Sequence, residues 1–288
     1  MEKRMLLRRV CFKEEVIMKI ISLVSSYRIN GNTDKAVSLI EKQLLSIADK
    51  ENIALEVEKI HLSRIDIKTC CGCRACFDKG EEKCPLKDDL LAIWKKIHQA
   101  DGILAASPVY VEDVNGIMKN WIDRMAFNCH RPAFAGKIVY IVTTSGGGTS
   151  NHTINTIKNA FTAWGTNFVG SSKFRTGELM ASVEMESKYG SSIKKAAEVL
   201  FKAVKNNSAQ KPSLYSLIVF KVQQKCWQES AQRQDTVDYQ YWQKNKWLER
   251  DCNYYIPNKA SFLKIKFARL IGSIVAIFYL KKVSKAMY

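Results

Sequence analysis

Three short runs of apolar, largely β-branched residues constrain the fold of this chain more than any other feature. The runs are Lys19 to Val24, Gly102 to Ala106 and Lys137 to Thr143. Such runs, without regular polar alternation, are typical of strands buried on both faces. Between them, apolar residues recur at helical spacing, as at Ala36, Leu39, Ile40 and Leu44. Strands that alternate with helices predict a parallel, doubly wound α/β sheet.

Two further segments, Ala54 to Ile60 and Thr166 to Val169, complete a predicted set of five strands. Five strands with crossover helices fit a flavodoxin-like, three-layer sheet with the strand order 2-1-3-4-5. In a sheet of that order, the ligand binds at the carboxyl ends of strands one and three. The loops that follow these strands are therefore the predicted functional site.

The sequence divides into three predicted parts. Residues 1–17 are interpreted as a leader, because Met18 opens a clean strand and is the predicted natural start. Residues 18–180 form the α/β domain, with a cysteine-rich insertion at 66–90. Residues 181–288 form a mainly helical extension that is strongly basic, with 19 Lys and Arg against 8 Asp and Glu, whereas residues 18–180 have 21 against 17.

The basic extension is compatible with an acidic partner, an anionic membrane, nucleic acid or simply a solvated helix face. No nucleic-acid motif accompanies the charge, so a nucleic-acid partner is not expected. The last predicted helix, 259–283, contains only 11 consecutive uncharged residues, from Leu270 to Leu280, whereas a bilayer span takes about 20. We expect this helix to pack on the first domain or on a second subunit, with peripheral membrane contact as the less favoured alternative.

The segment Ser25 to Thr33 follows the first strand and leads directly into a helix. A phosphate placed there would meet free backbone N–H groups and the positive end of the helix dipole. It would also meet polar side chains, namely those of Ser26, Arg28, Asn32 and Thr33. The alternative is an ordinary strand-to-helix turn. Because no Walker A or G-x-G-x-x-G pattern is present, a nucleoside triphosphate or a dinucleotide is not the predicted primary ligand.

Two more loops have compositions that suit a flat ligand. Strand three runs into Ser107, Pro108, Val109 and Tyr110, and strand four runs into Thr144, Ser145, Gly146, Gly147 and Gly148. Three consecutive glycines let backbone N–H groups approach a ring without a side-chain clash. The ring of Tyr110 can stack on such a ligand.

The motifs SSYRINGNT, SPVY, GIMKNWIDR and TTSGGG resemble those of the NAD(P)H-dependent FMN reductase and iron–sulfur flavoprotein group of the flavodoxin superfamily. The resemblance covers residues 18–180 and implies FMN as cofactor and NAD(P)H as electron donor. It implies that Ser26, Arg28, Asn32 and Thr33 bind the FMN phosphate. It also implies that Pro108, Val109 and Tyr110 lie along the isoalloxazine ring, and that the loop from Thr144 to Gly148 closes the other side. The chain departs from the usual G-S-P-R start of the first loop, since Ser25 and Tyr27 replace Gly and Pro.

Five of the nine cysteines lie between Cys70 and Cys84, which favours a reducing, cytoplasmic compartment and metal ligation over a disulfide scaffold. Cys70, Cys73, Cys76 and Cys84 have two, two and seven intervening residues, and Pro85 follows the last. This spacing is typical of a cubane iron–sulfur cluster. A zinc site with the same ligands, or redox or structural thiols, are the alternatives. The resemblance implies a 4Fe-4S cluster near the flavin of an adjoining subunit, and hence a homo-oligomer, a dimer or a tetramer.

The predicted function is that of an FMN-binding oxidoreductase, which accepts electrons from NAD(P)H or a carrier and passes them to an acceptor. The first alternative is an iron–sulfur flavoprotein that carries electrons without its own pyridine-nucleotide site. The second alternative is a docking module for a membrane or a partner. No catalytic side chain is predicted, because the flavin carries the chemistry.

Overall fold

The computed structural model describes residues 17–206, 211–229 and 235–286, and the side chains up to residue 282. Apart from residue 17, the predicted leader lies outside these residues. Within them the strands are β1 Met18–Val24, β2 Leu55–His61, β3 Gly102–Tyr110, β4 Asp113–Val114, β5 Ile138–Ser145 and β6 Asn167–Arg175. The helices are α1 Asn32–Lys50, α2 Ala75–Asp78, α3 Leu90–Gln99, α4 Gly116–Arg124, α5 Asn151–Ala163, α6 Ser182–Lys205, α7 Leu214–Gln228, α8 Val237–Lys244 and α9 Phe262–Ala286.

Five strands form one parallel sheet in the order β2-β1-β3-β5-β6. This is the predicted order 2-1-3-4-5, so the flavodoxin-like prediction is confirmed. The sheet has a sixth strand that sequence analysis missed. The short strand β4 pairs antiparallel with the end of β3, with Val109 opposite Val114.

Helices cover both faces of the sheet, which explains why its central strands consist mainly of buried apolar residues. On one face, the side chains of β1, β3 and β5 pack against α1 and α6. On the other face, they pack against α3, α4 and α5. All eight residues of β5 are buried, so the middle of the sheet has no contact with solvent. Every loop that carries function must therefore leave from an edge or an end of the sheet.

The hydrophobic core extends beyond the predicted domain boundary at residue 180. Helix α6 begins at Ser182, just after that boundary, and its residues Ile193, Leu200 and Val204 pack in the same core as α1. The predicted boundary therefore does not coincide with the end of this core, which includes residues of α6 from Met185 to Val204.

Helices α7, α8 and α9 form a separate aromatic core, so the prediction of a mainly helical extension is confirmed. Trp242 is fully buried and lies 5.3 Å from Trp247 and 5.8 Å from Phe220, measured between ring centroids. Its indole Nε1 donates a hydrogen bond to the carbonyl oxygen of His130 at 2.7 Å, which joins this core to the α/β domain. Among the described helices, none is both long and apolar enough to cross a bilayer.

The close approach of α6 to the sheet makes Gly102 sensitive to substitution. A Cβ at Gly102 would lie 2.6 Å from Cγ2 of Val204 and 3.3 Å from Cγ1 of Ile20. We expect Gly102→Ala to lower the free energy of unfolding by about 1–3 kcal/mol, as overpacking does. Urea denaturation followed by circular dichroism would measure the change.

The matched control is Gly190→Ala, within α6, where a new Cβ meets nothing within 4 Å. Because alanine favours a helix over glycine, this variant should gain about 0.5–1 kcal/mol. If Gly102→Ala were as stable as the wild type, the described packing of α6 on β3 would be wrong.

Candidate functional site

The site lies where three neighbouring strands end. Val24, the last residue of β1, is in register with Ala106 of β3, and Pro108 of β3 is in register with Thr144 of β5. Because the strands are parallel, the segments that follow them leave from the same end of the sheet. The structure thus brings together the three segments that the sequence singled out.

The first loop is closed by its own serine. Ser26 Oγ accepts a hydrogen bond from the main-chain N–H of Arg28 at 3.2 Å and lies 3.1 Å from the carbonyl oxygen of Arg28. Gly31 is the N-cap of α1 and offers no side-chain oxygen to the first N–H groups of the helix. The first N–H groups of this 19-residue helix therefore have no side-chain cap, and uncapped N–H groups at a helix start are suited to a phosphate.

Two predicted phosphate ligands form structural bonds in this loop. Asn32 Nδ2 donates to Thr176 Oγ1 at 2.7 Å, and Asn32 Oδ1 accepts from the main-chain N–H of Met180 at 2.8 Å. The hydroxyl of Thr33 lies 2.7 Å from that of Thr144. Both side chains are buried, and they join the first loop to the ends of β5 and β6. Direct contact of these two side chains with a phosphate stays a prediction.

The buried hydroxyl of Ser25, the residue that follows β1, bears on whether the site fits a ligand. Ser25 is fully buried, and its Oγ has no hydrogen-bond partner among the residues that the structure describes. Buried polar atoms are normally paired, so this hydroxyl has unused capacity for a bound group or water. The carbonyl oxygen of Ser25 accepts a 2.6 Å hydrogen bond from Asn115 Nδ2, and Asn115 also caps α4. Sequence reasoning missed Asn115, although an Asn just before a helix is a recognisable cap.

The SPVY segment belongs to a strand, whereas the sequence placed it in a loop. Ser107, Pro108, Val109 and Tyr110 are the last residues of β3, and Tyr110 is 44% exposed. A two-residue turn with φ of 48° at Val111 and 64° at Glu112 leads into β4. Positive φ at both positions matches a tight hairpin turn, which usually contains Asn or Gly. The hairpin fixes the backbone beneath Tyr110 and leaves its ring open to a ligand.

The glycine-rich segment leaves open space beside the site. Ser145 Oγ donates to the carbonyl oxygen of Gly148 at 3.1 Å, which closes the turn after β5. Gly146, Gly147 and Gly148 are exposed, and a Cβ at Gly147 or Gly148 would meet nothing within 4 Å. Packing within the chain therefore does not require glycine there. A flat ligand that approaches the backbone would require it.

The four cysteines of the predicted metal site line one cavity of about 130 Å³, together with Cys71, Arg124 and Phe127. Cys70 and Cys73 are exposed, and Cys76 and Cys84 are partly buried. In the described part of the chain, no three His, Cys, Asp or Glu side chains are grouped as ligands of a single metal ion. The segment thus presents four thiols around one space. Four cysteine thiols are the donor set of a cubane cluster and also of a structural zinc site.

Two cysteines have shifted pKa values, in opposite directions. The main-chain N–H of Ala75 lowers the pKa of the exposed Cys73 thiol, and a hydrogen bond from Cys71 lowers it further. Burial raises the pKa of Cys76, and the proximity of Cys84 and Cys70 raises it further. The thiolate is the form that binds metal. An iron–sulfur or metal centre would therefore have to offset the free-energy cost of deprotonating Cys76.

A buried arginine on α4 fixes the ends of the cysteine segment. Arg124 forms a buried ion pair with Asp88, with Nη2 to Oδ1 at 3.3 Å. Its guanidinium also donates to the carbonyl oxygen of Lys68 at 2.7 Å and lies 3.8 Å from Sγ of Cys84. Burial alone would raise the pKa of Asp88, but hydrogen bonds from Arg124 and Lys68 hold it below its usual value.

The C-terminal extension contacts the other side of the cysteine segment. The Arg131 guanidinium pairs with Asp238 of α8, and it pairs with Glu81 at 2.8 Å. It also donates to the carbonyl oxygen of Cys76 at 2.7 Å. His130 Nδ1 lies 2.7 Å from Asp238. Sequence analysis gave the histidines no catalytic role and did not foresee that His130 and Arg131 hold α8 against the cysteines.

The fold, with its ligand loops at the carboxyl ends of adjacent parallel strands, defines the protein as a flavodoxin-like α/β protein. Residues 18–178 match the family model described as NADPH-dependent FMN reductase, and the chain belongs to this family. The family resemblance drawn from the motifs is thereby confirmed.

Curated relatives of the chain are named as iron–sulfur flavoproteins. One from Archaeoglobus fulgidus is 36% identical over 154 residues, which are 53% of this chain and 66% of the relative. One from Methanocaldococcus jannaschii is 38% identical over 107 residues, which are 37% of this chain and 51% of the relative. The matched region thus spans about half to two thirds of the length of these relatives.

Solved structures support the fold. A flavone reductase superposes with a TM-score of 0.52 at 15% identity, covering 68% of this chain and 66% of that one. The structure of RosB with a bound 8-demethyl-8-formylriboflavin-5'-phosphate superposes with a TM-score of 0.51 at 13% identity, covering 65% and 79%.

The Arg124–Asp88 pair predicts a large loss of stability when one partner is removed. Arg124→Leu leaves the Asp88 carboxylate buried without its cation, and we expect it to lower the free energy of unfolding by about 3–5 kcal/mol. Urea denaturation would measure the loss. Because the folded pKa of Asp88 is depressed, its stabilisation is present at neutral pH and is lost as the pH falls through that folded pKa.

The matched control lies on the same helix. Lys119→Leu removes an exposed ion pair, in which Lys119 Nζ lies 2.6 Å from Asp123, and such pairs contribute about 0–1 kcal/mol. Equal losses in the two variants would contradict the structural importance assigned to Arg124.

Proposed function

We propose that the protein is an FMN-dependent oxidoreductase, which accepts electrons from NAD(P)H or from a carrier and passes them to an acceptor. The observation that carries this proposal is the convergence of three segments at one end of the sheet, namely the first loop, the end of β3 and the glycine-rich segment. When bound, FMN would supply the electron-transfer chemistry. The family match and the riboflavin phosphate named in the RosB structure support this assignment.

In this proposal the residues of the chain bind and orient the flavin. The first N–H groups of α1 and the exposed guanidinium of Arg28 would hold the phosphate, since both carry positive charge or partial charge. Gly147 and Gly148 would admit the ring edge, and Tyr110 would cover one face of the ring. No acid–base side chain is required.

A test of the phosphate site compares FMN with riboflavin, which lacks the phosphate. Loss of a charge-assisted hydrogen bond costs about 1.5–3 kcal/mol, so Arg28→Gln should raise the Kd for FMN by roughly tenfold or more. The Kd for riboflavin should not change. Fluorescence quenching of each flavin on titration with apoprotein would measure both.

Arg64→Gln is the control, because Arg64 is an exposed arginine on the same domain and outside the proposed site. A wild-type apoprotein that is folded yet fails to take up FMN would refute the proposed cofactor. Equal weakening of FMN and riboflavin by Arg28→Gln would refute only the role of Arg28.

Electron donation distinguishes the two candidate functions. Steady oxidation of NADH or NADPH by the purified holoprotein would support the reductase. An FMN protein that oxidises neither nucleotide, but is reduced by a protein carrier, would support the alternative of an iron–sulfur flavoprotein acting as an electron carrier. Two observations support this second candidate, namely the four thiols around one cavity and the names of the curated relatives.

We also propose that Cys70, Cys73, Cys76 and Cys84 hold a 4Fe-4S cluster, in a cytoplasmic homo-oligomer. Protein purified without oxygen should contain about four iron atoms and matching acid-labile sulfide per chain. Cys76→Ser should abolish the sulfide, whereas Cys71→Ser should retain it, because Cys71 lines the cavity but is outside the predicted set. Protein that contains zinc and no sulfide would support the zinc alternative and refute the cluster. Loss of sulfide in both variants would contradict the ligand assignment.

A further inference from the structure

Helix α9 presents an apolar face to solvent along most of its length. The exposed fraction is 78% for Leu263, 54% for Phe267 and 64% for Phe278. With the other large apolar residues of the same face, they form a stripe at helical spacing, which consists of Leu263, Phe267, Leu270, Ile274, Ile277 and Phe278. Contiguous exposed apolar surface of this kind marks an interaction site.

The opposite face of α9 holds the helix in place against the protein. Ala268 and Ala276 are fully buried, and Gly272 packs so closely on α7 that a Cβ there would lie 2.7 Å from Cβ of Lys221. Arg269 donates to the carbonyl oxygens of Cys252 and Arg250 at 3.0 and 2.7 Å. The stripe therefore points away from the protein, and its exposure does not result from an unpacked helix.

The charged residues of α9 itself have one sign. No Asp or Glu occurs after Asp251, whereas residues 259–288 contain seven Lys and Arg. Lys266 lies within α9 beside the stripe, and Lys281 and Lys282 follow its last apolar residues. A long apolar face with basic residues at its margins suits the boundary between the anionic headgroups and the acyl chains of a bilayer.

We propose that α9 is a membrane-surface helix, which lies in the headgroup region of an anionic bilayer with its stripe of six apolar side chains facing the acyl chains. Lys266 beside the stripe and Lys281 and Lys282 after it would contact the anionic headgroups. The helix would lie along the surface and not cross it, in keeping with its failure to qualify as a span. This proposal is independent of the FMN site and concerns where the protein works.

A second copy of the chain fits the stripe less well than lipid does. An antiparallel pairing of two α9 helices through the stripe brings Lys266 of one copy towards the lysines that follow the stripe in the other. A parallel two-fold pairing places each lysine opposite itself. Neither arrangement pairs these lysines with a carboxylate of the other α9, because α9 contains none. Like charges brought together at an interface oppose association, whereas anionic lipid attracts them.

The test is sedimentation of the full-length protein with vesicles. The protein should co-sediment with vesicles of phosphatidylcholine and phosphatidylserine. Little of it should co-sediment with vesicles of phosphatidylcholine alone. The double variant Phe267→Ser with Ile274→Ser should weaken binding by at least about tenfold, because both side chains would leave the bilayer. Lys266→Gln with Lys282→Gln should also weaken binding and reduce its sensitivity to salt.

Matched controls come from exposed residues elsewhere. Val183→Ser with Tyr215→Ser removes exposed apolar side chains outside α9, and Lys42→Gln with Lys50→Gln removes two exposed charges on α1. Both control variants should bind like the wild type. All of these substitutions are at exposed positions, so unchanged circular dichroism and an unchanged unfolding midpoint would establish that the variants fold.

Three outcomes would overturn the proposal. The first is a wild type that does not sediment with phosphatidylserine vesicles, and the second is equal binding to neutral and anionic vesicles. The third is a fall in oligomeric mass, measured by light scattering, in the Phe267→Ser with Ile274→Ser variant. That fall would assign the stripe to a subunit interface instead.

Discussion

The site depends on one constraint, which is that the parallel sheet is covered by helices on both faces. Its central strands consequently consist mainly of apolar residues, and a ligand can bind only where those strands end. Because β1, β3 and β5 are adjacent and parallel, their ends meet at one place. The position of the proposed flavin site thus follows from backbone topology, and its chemistry follows from the few residues that come after each strand.

Hydrogen bonds between distant segments give this place its shape. Asn32 and Thr33 connect the first loop to the ends of β6 and β5, so the loops form one unit. Arg124 performs a comparable role for the cysteine segment, since its buried guanidinium contacts residues before, within and after the cysteines. Asn32 and Thr33, which the sequence predicts as phosphate ligands, thus also connect distant segments of the structure.

Much of the architecture could be predicted from local patterns, because apolar runs, helical spacing and cysteine spacing are local properties. The features that were missed have other causes. The hairpin after Tyr110 lacks the usual Asn-Gly signal, as Val111 and Glu112 occupy positions with positive φ. The bonds of Asn32 to Thr176 and of Arg131 to Asp238 join residues more than 100 positions apart, and no local pattern reveals them.

The contact between Arg131 and α8 changes how the C-terminal extension should be regarded. Arg131 is almost fully buried, and its guanidinium divides its bonds between Asp238 of the extension and Glu81 and Cys76 of the cysteine segment. A shortened chain that ends before α8 would lack Asp238. The guanidinium of Arg131 would then keep only Glu81 of the two carboxylates that pair with it. The extension is therefore part of the structure around the cysteine segment. A chimera that carried the cysteine segment on a shorter relative would need another carboxylate in place of Asp238.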